Sequence, residues 1–198
     1  MGFQWAHIPL PYPNSVSHLR DWVTSLDGVM NQSYKPIVAL ALFDLADDRI
    51  SKDSFVERVS EFFWNLEDEF GLKHGPLTNE VHALILKCFE GVEKGKKWRE
   101  IKSKLDEKTG DAIWKKLCDY PLKLLQKGDS TLYVVEADYI LIPEPSLQVI
   151  KANKKALTTF ARCRLGEFLE KPTSSSPKTN QKVKIAWDQK RPPIASYI

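Results

Sequence analysis

The sequence predicts a mainly α fold: a helical domain with a winged-helix-like β-hairpin, a long C-terminal helix and a basic tail. Three observations lead there. Apolar residues recur at helical spacing through most of the chain. The period changes to β-branched and aromatic runs only at residues 131–135 (TLYVV) and 139–142 (YILI). From Pro145 onward a long stretch again carries its apolar residues on one side. Short helices, then a hairpin, then a long helix is the element order of a winged-helix module with helical surroundings. A length of 198 residues with 42% hydrophobic side chains suits one such unit with a packed core.

Residues 1–14 hold several prolines and are expected to be extended. Residues 34–46 (YKPIVALALFDLA) form the first strongly apolar helix, with Pro36 tolerated in its opening turn. It is apolar on nearly every side until Asp44, so it belongs at the centre of the core. Asp47 and Asp48 break it, and Ser51 or Asp53 can cap the next helix. There Phe55, Val59, Phe62, Phe63, Leu66 and Phe70 make a stripe, closed by Gly71. Residues 77–92 repeat the pattern through Val81, Leu84, Ile85, Cys88, Phe89 and Val92.

Trp98, Ile101 and Leu105 mark a short helix, and residues 111–117 another. Pro121 interrupts it, and Leu122, Leu124 and Leu125 continue in a new turn. Glu136, Ala137 and Asp138 join the two hairpin runs. On the long helix, Leu147, Ile150, Leu157, Phe160, Leu165 and Phe168 share a side. The domain therefore spans residues 15–170. Residues 171–179 read as a linker and the rest of 171–198 as a basic tail, short of periodicity.

The net charge of +3 conceals strong segregation. Residues 1–93 carry −7, 94–127 carry +6, 128–150 carry −4 and 151–198 carry +8. Such a pattern argues against a uniformly basic coat and for one basic face. Lys94, Lys96, Lys97, Arg99, Lys102 and Lys104 are threaded by Trp98, Ile101 and Leu105, so the apolar residues share one helix face and the cations point elsewhere. Phosphate binding needs such a cationic surface on a rigid element. A solvated helix face would have the same composition. Arg162, Arg164, Lys182 and Lys184 belong to a second basic set, which serves either as a nucleic-acid arm or as a solubilising end. The hairpin has no basic residue, so it is expected to pack on protein or face solvent rather than touch DNA.

Cys88, Cys118 and Cys163 lie far apart, with neither a disulfide framework nor a metal knuckle, and are expected to be buried free thiols in a reducing, cytoplasmic setting. Neither a membrane span nor a signal peptide is expected. His7, His18, His74 and His82 have no metal-ligand spacing, since Glu80 and His82 would face apart on a helix. No metal, cofactor or catalytic constellation is expected. Residues 91–97 miss the phosphate-loop spacing and follow a helix. Glu100, Ile101 and Lys102 match half of a nuclease metal site, but read as helical. A cryptic nuclease would need an acidic partner beside Glu100 and Lys102.

Residues 34–45 resemble a recurring opening of bacterial HNH-type endonucleases, where an apolar helix after Tyr-Lys-Pro begins a helical, winged-helix-like N-terminal region. The segment from Phe160 to Leu169, followed by Asn180, Gln181, Lys182 and Val183 and by Lys190 and Arg191, is similar to that family's pre-nuclease linker. Together these cover residues 34–70 and 160–198. The family's paired histidines, its Asn and its zinc-knuckle cysteines are missing, so no catalytic residue is carried over. The resemblance implies a targeting or scaffold part alone, with the nuclease in a truncated C-terminus, in a partner subunit or nowhere. Together with the charge segregation it leads to the expectation of a non-catalytic DNA-binding or targeting module of a bacterial nuclease or phage-defence system, with DNA as ligand; a nuclease or ATPase subunit is the kind of protein partner expected. The alternative expectation is an accessory subunit that binds protein and has no DNA affinity of its own.

Overall fold

A computed structural model describes residues 15–27, 33–70, 80–126 and 131–170. The expected extended N-terminus, Gly71, the linker and the basic tail, with Lys182 and Lys184, lie outside the described residues. The described chain is mainly helical. Its elements are α1 (Ser15–Asp27), α2 (Tyr34–Leu45), β1 (Arg49–Ser51), α3 (Lys52–Phe70), α4 (Glu80–Cys88), α5 (Trp98–Ile101), a 3-10 turn (Lys102–Lys104), α6 (Glu107–Asp119), α7 (Pro121–Leu125), β2 (Val134–Val135), β3 (Tyr139–Leu141) and α8 (Glu144–Glu170).

As its composition demands, α2 is the centre. Every residue from Tyr34 to Phe43 is buried, Lys35 included. The chain then leaves the helix through Ala46, whose φ of 25° lies in the left-handed region. Around α2 pack α3, α7 and α8, and α1 lies mainly on α8. Trp22 of α1 is fully buried, edge-on to Phe43 at 5.1 Å and stacked with Tyr133 at 6.0 Å. Its Nε1 donates to Ser146 Oγ at 3.2 Å, so one side chain joins α1, α2, the lead-in to β2 and the start of α8.

Ser51 caps α3, its Oγ accepting from Ser54 N at 3.2 Å. Phe55, Val59, Phe62, Phe63 and Leu66 are buried as their spacing requires. The helix α4 stops at Cys88, short of the expected Val92, because the chain turns at Gly91 with φ of 76°. Conversely, α6 starts earlier than expected. Asp106 caps it by accepting from Thr109 N at 2.7 Å, and Pro121 opens α7 at its first position.

The hairpin is present, in a sheet the sequence did not reveal as a whole. The strands are antiparallel in the order β1-β3-β2, with Ile50 opposite Ile140 and Val135 opposite Ile140 on the other side. Beyond the sheet, α8 bends at Asn153 (φ −117°, ψ 16°). The Asn153 amide donates to Val149 O at 3.0 Å, competing for the carbonyl that the helix ladder would use. Of the expected stripe on α8, Leu147, Ile150, Leu157 and Leu165 are buried and Phe160 is half-buried.

The expectation of three buried thiols needs correction. Cys163 is exposed, on the face of α8 opposite Ala161 and Leu165, while Cys88 and Cys118 are half-buried. Burial pushes the Cys118 thiol up to about 11, so it stays protonated at neutral pH.

His82 lies against Phe63, ring centroids 5.7 Å apart, with Nε2 3.5 Å from the Glu67 carboxylate. Burial lowers its pKa, so the folded chain favours the neutral ring more than the unfolded chain does. Its effect on stability is therefore absent above the unfolded value of about 6.5, and grows as a penalty as pH falls below it. Urea titrations at pH 7.5 and 5.5 are expected to give a lower midpoint at pH 5.5. His82→Leu should shrink that difference; an unchanged difference overturns the assignment.

Candidate nucleic-acid interface

The basic segment is held by aromatic packing. Trp64 of α3 meets Phe89 at 5.3 Å, and Phe89 meets Trp98 at 5.4 Å, so α3, the turn after α4 and α5 share one aromatic row. Trp64 Nε1 also donates to Lys96 O at 3.3 Å, fixing the loop before α5. Gly95 turns that loop with φ of 83°, a conformation that leaves the lysines around it pointing outward without Cβ strain at the turn itself. Glu100 folds back to accept from Lys97 N at 3.1 Å at the start of α5. Trp98 and Ile101 are buried, whereas Lys94, Lys96, Lys97, Arg99, Lys102 and Lys104 are all exposed. The split between faces is the one the spacing predicts.

Two of the six cations have acidic neighbours. Lys96 lies 3.6 Å from Glu93, and Lys102 lies 3.0 Å from Glu57 of α3. Both pairs are solvent-exposed and therefore weak. Lys94, Lys97, Arg99 and Lys104 form no ion pair among the described residues. Their surface is cationic, on a segment whose apolar side is anchored.

The second basic set is placed differently. Arg164 donates to the carbonyls of Leu26 at 3.3 Å and Asp27 at 3.1 Å, and it pairs with Glu167 and with the Asp27 carboxylate. It closes the C-terminal end of α1, where unpaired carbonyls favour a cation. Arg162 is half-buried, with its Nε enclosed. Lys154 donates to Asp44 O at 3.0 Å and serves the end of α2 in the same way. These residues lie on α8, whereas α5 packs on α3.

The hairpin turn is tied to the protein. Trp114 Nε1 donates to Ala137 O at 2.8 Å, Lys52 N donates to Asp138 O at 2.8 Å, and Lys52 Nζ lies 2.7 Å from Asp111. Long-range bonds of this kind have no local sequence signal. Glu100 and Lys102 sit on a helical turn, and Lys102 pairs with Glu57 rather than with Glu100. Among the described residues no group of three or more His, Cys, Asp or Glu could hold a metal, and no helix is long and apolar enough to cross a membrane. No family model, curated protein or solved structure matches the chain.

Proposed function

We propose that the chain is a non-catalytic nucleic-acid-binding or targeting module of a bacterial nuclease or phage-defence system. It contacts DNA phosphates through the surface of residues 94–104. The observation that carries this reading is the set Lys94, Lys97, Arg99 and Lys104: four exposed cations without acidic partners among the described residues, on a segment anchored by Trp98. Pre-placed cations release counterions when they meet a phosphate backbone, and the affinity then falls steeply with salt. The expectation of an interaction with phosphates, not bases, follows from the placement of these long side chains: Lys94 and Lys97 precede α5, Lys104 ends the 3-10 turn, and only Arg99 stands on a helix, one too short to lie along a groove.

Fluorescence anisotropy with duplex DNA across a salt series tests the reading. Four phosphate contacts give a slope of log K against log salt near −3.6, at about −0.9 per contact. Arg99→Ala is expected to flatten the slope by about one contact and to weaken binding evenly across sequences. Absence of binding at low salt, or binding with no slope, overturns the proposal. A second reading, an accessory subunit that binds protein, is favoured by Val134 and Leu141, exposed side by side across β2 and β3 beside acidic Glu136. Co-purification of a larger partner, with no DNA affinity in the isolated chain, would support it.

A further inference from the structure

The sheet order β1-β3-β2 leaves β1 at an edge. Hydrogen-bond parity decides what that edge offers. Ile142 N donates to Asp48 O at 2.9 Å, and Lys52 N donates to Asp138 O at 2.8 Å. Both bonds extend the ladder in which Ile50 stands opposite Ile140. Bonded and non-bonded pairs alternate along an antiparallel ladder. Ile50 is therefore bonded to Ile140, and Arg49 and Ser51 occupy non-bonded positions. The backbone groups of these two residues face away from β3. The Ser51 carbonyl serves the first turn of α3, which Ser51 caps. The N–H and C=O of Arg49 and the N–H of Ser51 are left, and no partner among the described residues takes them. Both residues are exposed, on either side of the buried Ile50. A donor–acceptor pair followed two residues on by a second donor is what an added strand needs to meet.

The charge around this edge selects the kind of strand. Asp47 and Asp48 stand just before it and Asp53 just after, all three exposed and none in an ion pair among the described residues. The neighbouring cations are engaged. The Arg49 guanidinium lies over the Tyr139 ring, 3.9 Å from its centroid. Lys52 Nζ lies 2.7 Å from Asp111 and 3.7 Å from Asp138. Unpaired carboxylates thus flank the free main-chain groups at both ends, which favours a strand that carries its own cations. A second copy of β1 fits poorly. Pairing two copies about Ile50 sets Asp47 opposite Asp53 of the second copy, and like charges directly opposite are destabilising.

We propose that the outer edge of β1 docks an extended, Lys- or Arg-bearing segment of a partner protein as a fourth strand. Its main chain bonds Arg49 and Ser51, and its cations lie beside Asp47, Asp48 and Asp53. The proposal is independent of the phosphate-binding surface, which lies at residues 94–104.

Amide hydrogen exchange by NMR on the full chain tests it, with and without a blocked peptide of alternating lysine and valine. In about 1 mM peptide the amides of Arg49 and Ser51 are expected to exchange about tenfold slower. Arg49→Pro removes an edge donor where no ladder bond is lost, a place a strand tolerates proline. It is expected to weaken peptide binding about tenfold or more. The Ile50 amide, bonded inside the ladder, should keep its protection in both proteins and so reports that the variant is folded. A peptide with glutamate in place of lysine is expected to leave Arg49 and Ser51 unprotected. Unchanged exchange at these two amides, protection confined to β2, or equal binding by the parent and Arg49→Pro overturns the proposal. Equal protection by the glutamate peptide overturns it as well.

Discussion

Trp22→Ala is expected to lower the unfolding free energy by about 3–5 kcal/mol, the range for removing a large buried aromatic. The side chain has no exposed surface and packs on Phe43 and Tyr133. Its removal opens a void where four elements meet, and none of them can close it without moving α2. Domains of this size have only about 5–15 kcal/mol in total, so the variant sits close to the edge of folding. Urea unfolding followed by circular dichroism should show the midpoint falling by about 2 M, given a slope of about 2 kcal/mol per molar urea. Ser146→Ala, which only strips the partner from Trp22 Nε1, is expected to cost about 1–3 kcal/mol. A Trp22→Ala midpoint no lower than that of Ser146→Ala would contradict the packing described for α1.

The second large effect concerns the proposed interface. Replacing Lys94, Lys97, Arg99 and Lys104 together by alanine is expected to weaken duplex binding by about a thousandfold at low salt. The figure assigns about 1 kcal/mol to each exposed cation–phosphate contact, as for two unit charges 4 Å apart in water. All four side chains are exposed, so the thermal midpoint should stay within a few degrees of the parent. Lys96→Ala and Lys102→Ala are expected to do less, because Glu93 and Glu57 already offset those charges. Equal binding by the quadruple variant and the parent would remove this surface from the proposal.

Legibility followed the range of the interactions. The helices were readable because a buried face imposes its period locally: Phe55, Val59, Phe62 and Phe63 announce α3, and the continuous apolar run of α2 announces its central place. The hairpin was readable from its β-branched runs. β1 was not, because Arg49–Ser51 has a single apolar residue and becomes a strand only by pairing with residues about 90 positions later. The early start of α6 had a signal in Asp106 and Thr109 at capping distance, but the helix's apolar residues begin only at Ile113. For the interface, the outward face of α5 was legible from spacing. The pairing of Lys102 with Glu57, and the use of Arg164 to close α1, were not, since a cation's sequence neighbours do not say which distant carboxylate or carbonyl it will meet.

The burial of α2 on all sides has a consequence for how the chain is made. The helix is complete at Leu45, yet one of the elements that cover it, α8, ends at Glu170. At a synthesis rate of about 5–20 residues per second, roughly 6–25 s separate the two on the ribosome. During that interval the most apolar stretch of the protein has α3, and later α7, for cover but not its long roof. Any shortened form that stops before Glu144 leaves that side of α2 open for good, and is expected to collect in the insoluble fraction.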